Sequence, residues 1–192
     1  MAGGGGTAGR DLPQRLHVFG ASGSGTTTFG RAWAARFGHK HLDTDDFYWM
    51  PTEPAFQEKR PVPERLRLLE QAFGQAESWI LTGSLVSWGE PLIDSFQRAV
   101  FIYTPFNLRM DRLIAREEAR YGVEALQPGG ERYDDFNAFI EWAASYDTGG
   151  PEIRSLKMHE AWIERLPCPV IRVSGTDTTG QQIEQVAGFV SD

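Results

Sequence analysis

The chain has 192 residues, 41% of them hydrophobic and 23% charged, which is enough to bury one substantial core and ordinary for a water-soluble domain. Its formal net charge of −7 argues against general binding to nucleic acid or to anionic membranes. A single cysteine, Cys168 between Pro167 and Pro169, excludes an internal disulfide framework and suits a reducing compartment, so a cytoplasmic protein is expected.

In chain order, residues 1–14 (M-A-G-G-G-G-T-A-G-R-D-L-P-Q) lack the apolar core of a signal peptide or membrane anchor and read as a flexible tail. Residues 15–192 read as one domain. Leu16–Phe19, Trp79–Thr82, Ala99–Tyr103 and Val170–Val173 are short apolar runs expected as strands, with a fifth over His39–Asp43. Helical spacing separates them. It runs over Thr26–Phe37, through Leu66, Leu69, Phe73 and Ala76, from about Asn107, through Phe136, Phe139, Ile140 and Ala143, through Ile153, Leu156, Ile163 and Leu166, and over Thr179–Val190. Strands alternating with helices predict an α/β fold with a doubly wound parallel sheet, in which ligands bind beyond the carboxyl ends of the strands.

The first strand runs into G-A-S-G-S-G-T-T-T. Gly20, Ala21, Ser22, Gly23, Ser24, Gly25, Thr26 and Thr27 match the phosphate-loop pattern G-x-x-x-x-G-K-[ST] except that Thr26 stands where the lysine belongs. The flanking strand and helix are those the motif requires. Glycines let backbone N–H groups turn towards an anion, the helix N-terminus adds its dipole, and Thr27 takes the position whose hydroxyl reaches Mg²⁺. The competing reading is a glycine-rich turn. In a chain with 21 glycines, chance spacings are common, and Thr26 cannot supply the missing positive charge.

The second strand ends in H-L-D-T-D-D. Asp43 and Asp45, two apart, share a face of an extended segment. Asp45 is expected to act on the metal's waters or to take a proton from an acceptor hydroxyl, and Asp43 to bind substrate; turn chemistry is the alternative for both. His39 and His41 share the spacing with Asp43 and raise a transition-metal site, although nothing else in the chain resembles a ligand cluster. The third strand ends in Thr82-Gly83-Ser84, where a Walker-B acid would stand. Gly83 and Ser84 are therefore either substrate contacts or a simple strand-ending turn.

Arg109, Arg112, Arg116 and Arg120 fall at offsets 0, 3, 7 and 11 and form one stripe. The reading divides there. A solvated, ion-paired face accounts for Arg109 and Arg112, whereas Arg116 and Arg120, with Arg154 after D-T-G-G-P, are expected to stabilise a transferring phosphoryl group and to replace the absent lysine. Residues 121–133 form a short lid. The aromatic, basic stretch within 46–65 forms an acceptor-binding insert in which Arg60 meets an anion; Trp49, Phe56 and Trp88 either line the same pocket or simply pack.

With the loop, the D-T-D turn, the arginine helix and the lid in this order, the chain resembles the P-loop kinases of small molecules, the adenylate, cytidylate and shikimate kinase group. L-D-T-D-D-F-Y-W-M-P followed by W-I-L-T-G-S looks most like adenylate-kinase-related, topology modulation protein-like members. The resemblance implies a five-stranded sheet ordered 2-3-1-4-5, ATP with Mg²⁺, and transfer of the γ-phosphoryl group. Some nucleotide kinases of the group carry the same loop without lysine. The chain lacks the triple-glycine motif of shikimate kinase and has a much altered monophosphate-binding segment. The implied acceptors are nucleoside monophosphates or shikimate-like molecules; the alternatives are a nucleotide-binding regulator and a slow nucleotide hydrolase.

Overall fold

The computed structural model describes residues 12–53 and 55–189. Residues 1–11, most of the expected tail, lie outside that range. Leu12 packs against the core, and the Pro13 carbonyl meets His39 Nε2 at 2.8 Å, so the chain is already docked at residues 12 and 13.

Strands β1 (Arg15–Gly20), β2 (Lys40–Asp43), β3 (Trp79–Thr82), β4 (Arg98–Tyr103) and β5 (Val170–Ser174) form one parallel sheet in the order β2-β3-β1-β4-β5. Helices α1 (Thr26–Phe37), α2 (Thr44–Tyr48), α3 (Val62–Phe73), α4 (Phe106–Tyr121), α5 (Val123–Leu126), α6 (Tyr133–Ala144), α7 (Leu156–Arg165) and α8 (Thr179–Ala187) connect or cover them. All five strands expected from the sequence are present. Fold class and strand order are those anticipated.

The central strands β1, β3 and β4 are largely apolar because both faces of the sheet are covered, whereas the edge strand β2 (K-H-L-D) is mostly polar. Alternation then sorts the side chains. Leu16, Val18, Ile80, Val100 and Ile102 pack against Phe29 and Trp33 of α1 and Ile183 and Val186 of α8. Phe19, Leu81, Ala99 and Phe101 point the other way, onto Leu69 of α3 and Trp162 of α7. Fully buried residues such as Leu81 carry most of this stabilisation; truncation there to alanine costs about 2–5 kcal/mol. His17 is the polar exception within β1. It is fully buried, stacked on Phe19 and Phe96 with centroids 5.0 and 4.7 Å away.

Two helices were not foreseen. The chain leaves β2 directly into α2, with the Asp43 side chain accepting from the Asp45 amide at 3.2 Å as its N-cap. Residues 121–133, the expected lid, are partly helical, because α4 ends at Gly122 (φ 81°) and α5 follows at once. Ile153, expected within a helix, precedes α7, whose start is fixed by Ser155 accepting from the Met158 amide. On a third face, Phe139, Ile140 and Ala143 of α6 pack on Met110 and Leu113 of α4. That packing holds α6 over the carboxyl ends of the strands.

Candidate active site

The loop between β1 and α1 has the backbone that an anion cradle needs. Gly23 and Gly25 take φ of 79° and 97°, the left-handed region open to glycine at little cost. Gly20 is required for another reason: a Cβ there would lie 2.5 Å from the Ile102 carbonyl and 2.6 Å from Ser24 Oγ. Gly25 caps α1 without any side-chain hydrogen bond, so no capping side chain competes with a ligand at the helix start. From below, Thr104 Oγ1 donates to the Ser24 carbonyl at 3.1 Å. Ser24 Oγ is buried and has no partner among the described residues.

Thr27 Oγ1 donates to Asp43 Oδ2 at 2.9 Å, and Thr82 Oγ1 reaches the same oxygen at 3.2 Å. The carboxylate beside the loop is therefore Asp43, not the expected Asp45. The chain turns into α2 at Thr44, so the two aspartates do not stay on one face of an extended segment. A hydroxyl next to one carboxylate suits a hydrated Mg²⁺ completed by phosphate oxygens. No group of three or more His, Cys, Asp or Glu side chains is gathered for a metal among the described residues. His39 Nε2 bonds to the Pro13 carbonyl and His41 Nε2 to Thr82 Oγ1 at 2.9 Å, while His39 Nδ1 is buried without a partner among the described residues.

Asp45 faces the other way, into a cavity of about 830 Å³ that also reaches Ser22 of the loop. Burial, and then the neighbouring Asp43 charge, raise its carboxyl above the ordinary range, against the pull of Arg154 and Arg116. Arg116, Arg120 and Arg154 line this cavity, as does Arg132. The structure brings these expected residues together. Arg116 pairs with Glu117 at 2.8 Å, and Arg120 lies 3.9 Å from the same carboxylate. Arg154 makes no hydrogen bond or ion pair among the described residues and lies over Trp142 at 5.3 Å. Burial lowers its pKa, and Asp45 partly restores it.

Three expected substrate contacts are elsewhere. Arg60 is spent on the insert itself, donating to the Phe47 carbonyl at 3.0 Å and to Glu64 at 2.8 Å. Gly83 (φ 103°) packs so tightly on Thr44 that a Cβ would meet Oγ1 at 1.9 Å, leaving no space for substrate. Ser84 is buried against His159 Nε2 at 2.9 Å. His159 also meets the Tyr146 hydroxyl at 2.6 Å, and burial lowers its pKa to about 3. None of the three lines the cavity.

Arg112, Arg116 and Arg120 of the arginine stripe are exposed, and only Arg109 departs from a solvated face. Arg109 is completely buried, donating to the carbonyls of Thr104 at 3.1 Å and Ala143 at 3.3 Å and pairing with Asp147. Arg112 crosses the phosphate loop, donating to the carbonyls of Gly23 at 3.4 Å and Gly175 at 3.0 Å. It is the loop-side cation that the sequence reading passed over. The stripe contained it, but only the fold shows that α4 crosses the loop at its second turn.

No protein-family model matches the chain. It is 40% identical over 180 residues to the uncharacterized protein YqaC of Bacillus subtilis (strain 168), a match covering 94% of this chain and 99% of YqaC. Among solved structures it is similar to shikimate kinase from Bacteroides thetaiotaomicron (TM-score 0.55, 15% identity, 93% of this chain and 100% of that one). It is also similar to shikimate kinase from Acinetobacter baumannii in complex with shikimate (TM-score 0.54, 16% identity, 93% and 95%). A gluconokinase from Sinorhizobium meliloti 1021 aligns as well (TM-score 0.52, 13% identity, 93% and 92%). The sheet order and these likenesses establish the fold as that of the P-loop small-molecule kinases.

Proposed function

The chain belongs to the family of Bacillus subtilis YqaC, and we propose that it is an ATP-dependent kinase that transfers the γ-phosphoryl group to a small molecule held in the cavity. The observation that carries this reading is one of adjacency. A glycine loop with an uncapped helix start and a Thr27–Asp43 pair opens onto a cavity containing Asp45, Arg116 and Arg154.

In this account the backbone amides of residues 21–27 hold the β-phosphate, and Thr27 with Asp43 would hold Mg²⁺. The metal, when bound, supplies charge neutralisation at the β- and γ-phosphates. Arg112 fixes the loop by binding the Gly23 carbonyl and brings to the loop a positive charge that Thr26 cannot. Asp45 orients the acceptor, and takes the proton where the acceptor is a hydroxyl. Its raised pKa makes it a better base than an ordinary carboxylate. The acceptor oxygen bonds to the γ-phosphorus as the bond to the β–γ bridging oxygen breaks, and the electron pair leaves on ADP. Arg116 stabilises the charge spread over the transferring group, and Arg154 holds the acceptor. No covalent enzyme intermediate is needed, since such catalysis is positioning and electrostatics.

The experiment is a coupled ADP-release assay with ATP and Mg²⁺ across candidate acceptors. Acceptor-dependent turnover supports the kinase. Saturable ATP binding with no turnover under any acceptor makes the chain a nucleotide-binding regulator instead, the reading that Thr26 in the lysine position favours.

A further inference from the structure

Three buried polar side chains that the mechanism does not use meet in a row. Ser84 Oγ lies 2.9 Å from His159 Nε2, and the Tyr146 hydroxyl lies 2.6 Å from His159 Nδ1. Burial lowers the His159 pKa to about 3, so the ring is neutral near pH 7. A neutral imidazole carries one N–H and one lone pair, so it donates to one hydroxyl and accepts from the other. Phe19 and Phe101 pack edge-on to it, with centroids 5.4 and 5.8 Å away. A buried row satisfied in this way is rigid.

The row joins three elements around one loop. Ser84 follows β3, Tyr146 lies in the helical turn Ser145–Asp147 after α6, and His159 belongs to the first turn of α7. Between Tyr146 and His159 the chain makes the loop 148–155, which carries Arg154 into the cavity. That loop is closed on itself. The Gly149 amide donates to the Ser145 carbonyl at 2.7 Å, and Ser155 Oγ donates to the Gly150 carbonyl at 2.8 Å. Ile153 fills the space over Gly149, where a Cβ would meet its Cδ1 at 2.6 Å. Next to Tyr146, Asp147 pairs with the buried Arg109, whose Nε donates to the Thr104 carbonyl at 3.1 Å. Thr104 in turn holds the Ser24 carbonyl, so the loop of Arg154 and the phosphate loop share one frame.

Arg154 has no such fixing of its own. Among the described residues it makes no hydrogen bond or ion pair and rests only on the face of Trp142, one turn before Tyr146. A long side chain without a partner keeps many rotamers, so the backbone that carries it decides where its charge stands. We propose that Ser84, His159 and Tyr146 are positioning residues that set the Arg154 guanidinium in the cavity. The inference rests on the kinase reading for what Arg154 holds, and not for how Arg154 is placed. It also gives Ser84 a role that contact with substrate does not supply.

The test is ¹⁹F NMR of the full chain labelled with 5-fluorotryptophan, with the Trp142 resonance assigned from Trp142→Phe. Tyr146→Phe and Ser84→Ala each remove one hydroxyl and little volume. Each should move the Trp142 resonance towards its position in Arg154→Met. Trp33, packed on the other face of the sheet, should not move, which reports that the variants fold. In an Arg154→Met background the same substitutions should leave Trp142 where it is. A Trp142 resonance indifferent to both hydroxyls overturns the inference. So does a shift that survives in the Arg154→Met background, because the row then acts on α6 directly. Acceptor-dependent ADP release is read separately, and its absence removes the kinase reading while the resonance test stands. With turnover, Tyr146→Phe should raise the acceptor KM about tenfold and spare the ATP KM, whereas a fall in kcat alone overturns the assigned role.

Discussion

The loop side and the cavity side of this molecule are built by different means. The loop is backbone, fixed by close packing: Gly20 against Ile102, Gly23 against Arg109, and Thr104 beneath Ser24. The cavity side is made of side chains from α2, residues 46–65, α4 and α6, with three of its four arginines in ion pairs and the two strained residues Phe56 and Ser87 among its lining. A phosphate is the same in every nucleotide, so a backbone cradle suffices for it. An acceptor must be told from its rivals, and that needs side-chain shapes that can differ between relatives.

Substitutions should separate the two sides. The largest effect is expected at Asp45. Asp45→Asn should lower kcat by about 10²–10⁴-fold with ATP affinity unchanged, since it faces the cavity and not the loop. Its acidic limb in the kcat/KM profile should lie above the ordinary carboxylate range and vanish in the variant, because burial raises the pKa. Steady-state kinetics with direct ATP titration checks both.

Next in size is a pH effect. His17 and His159 have pKa values lowered to about 3 by burial, against about 6.5 when unfolded. Between those values the unfolded chain binds more protons, so stability is complete above pH 6.5 and falls as the pH drops towards 3. Each histidine should contribute about 2 kcal/mol of loss between pH 6.5 and 5, measurable by urea denaturation. His17→Leu should flatten that slope by about half.

Arg112→Ala and Arg154→Ala make a matched pair. Removing Arg112 should weaken ATP about tenfold and spare the acceptor, and removing Arg154 should raise the acceptor KM about tenfold and spare ATP, each the loss of one charge-assisted contact. Titration of each ligand against each variant reads the crossover. Equal effects on both ligands would erase the distinction between the two sides. The smallest effect belongs to Ser87→Gly. Relief of its positive φ should stabilise the fold by about 0.5–1 kcal/mol and raise Tm by roughly 2 °C, as a thermal melt would show.

The sheet and the loop were legible in the sequence because local rules specify them. Apolar runs mark β1, β3, β4 and β5, and the glycine spacing between Gly20 and Gly25 sits where strand meets helix. The aspartates were harder. That Asp43 rather than Asp45 meets Thr27 depends on a helix starting at Thr44, and the short T-D-D-F-Y has too little periodicity to announce one. Arg60 looked free although Glu64 stands four residues on, and its other partners, the backbone carbonyls of Phe47 and Trp49, are displayed by no sequence pattern. Trp49 and Trp142 line the cavity from segments about ninety residues apart in the chain, so Trp49 left both readings open and Trp142 gave no signal until the fold brought α6 to the cavity.

The central claim is that a phosphate loop without lysine still holds nucleotide, completed by Thr27 and Asp43. Calorimetric titration of the native chain with ATP, in Mg²⁺ and then in EDTA, tests it most directly, with Asp43→Asn alongside. The account predicts saturable binding that weakens at least tenfold when Mg²⁺ is removed and equally in the variant. No binding at millimolar ATP, or binding indifferent to both Mg²⁺ and Asp43, would contradict it.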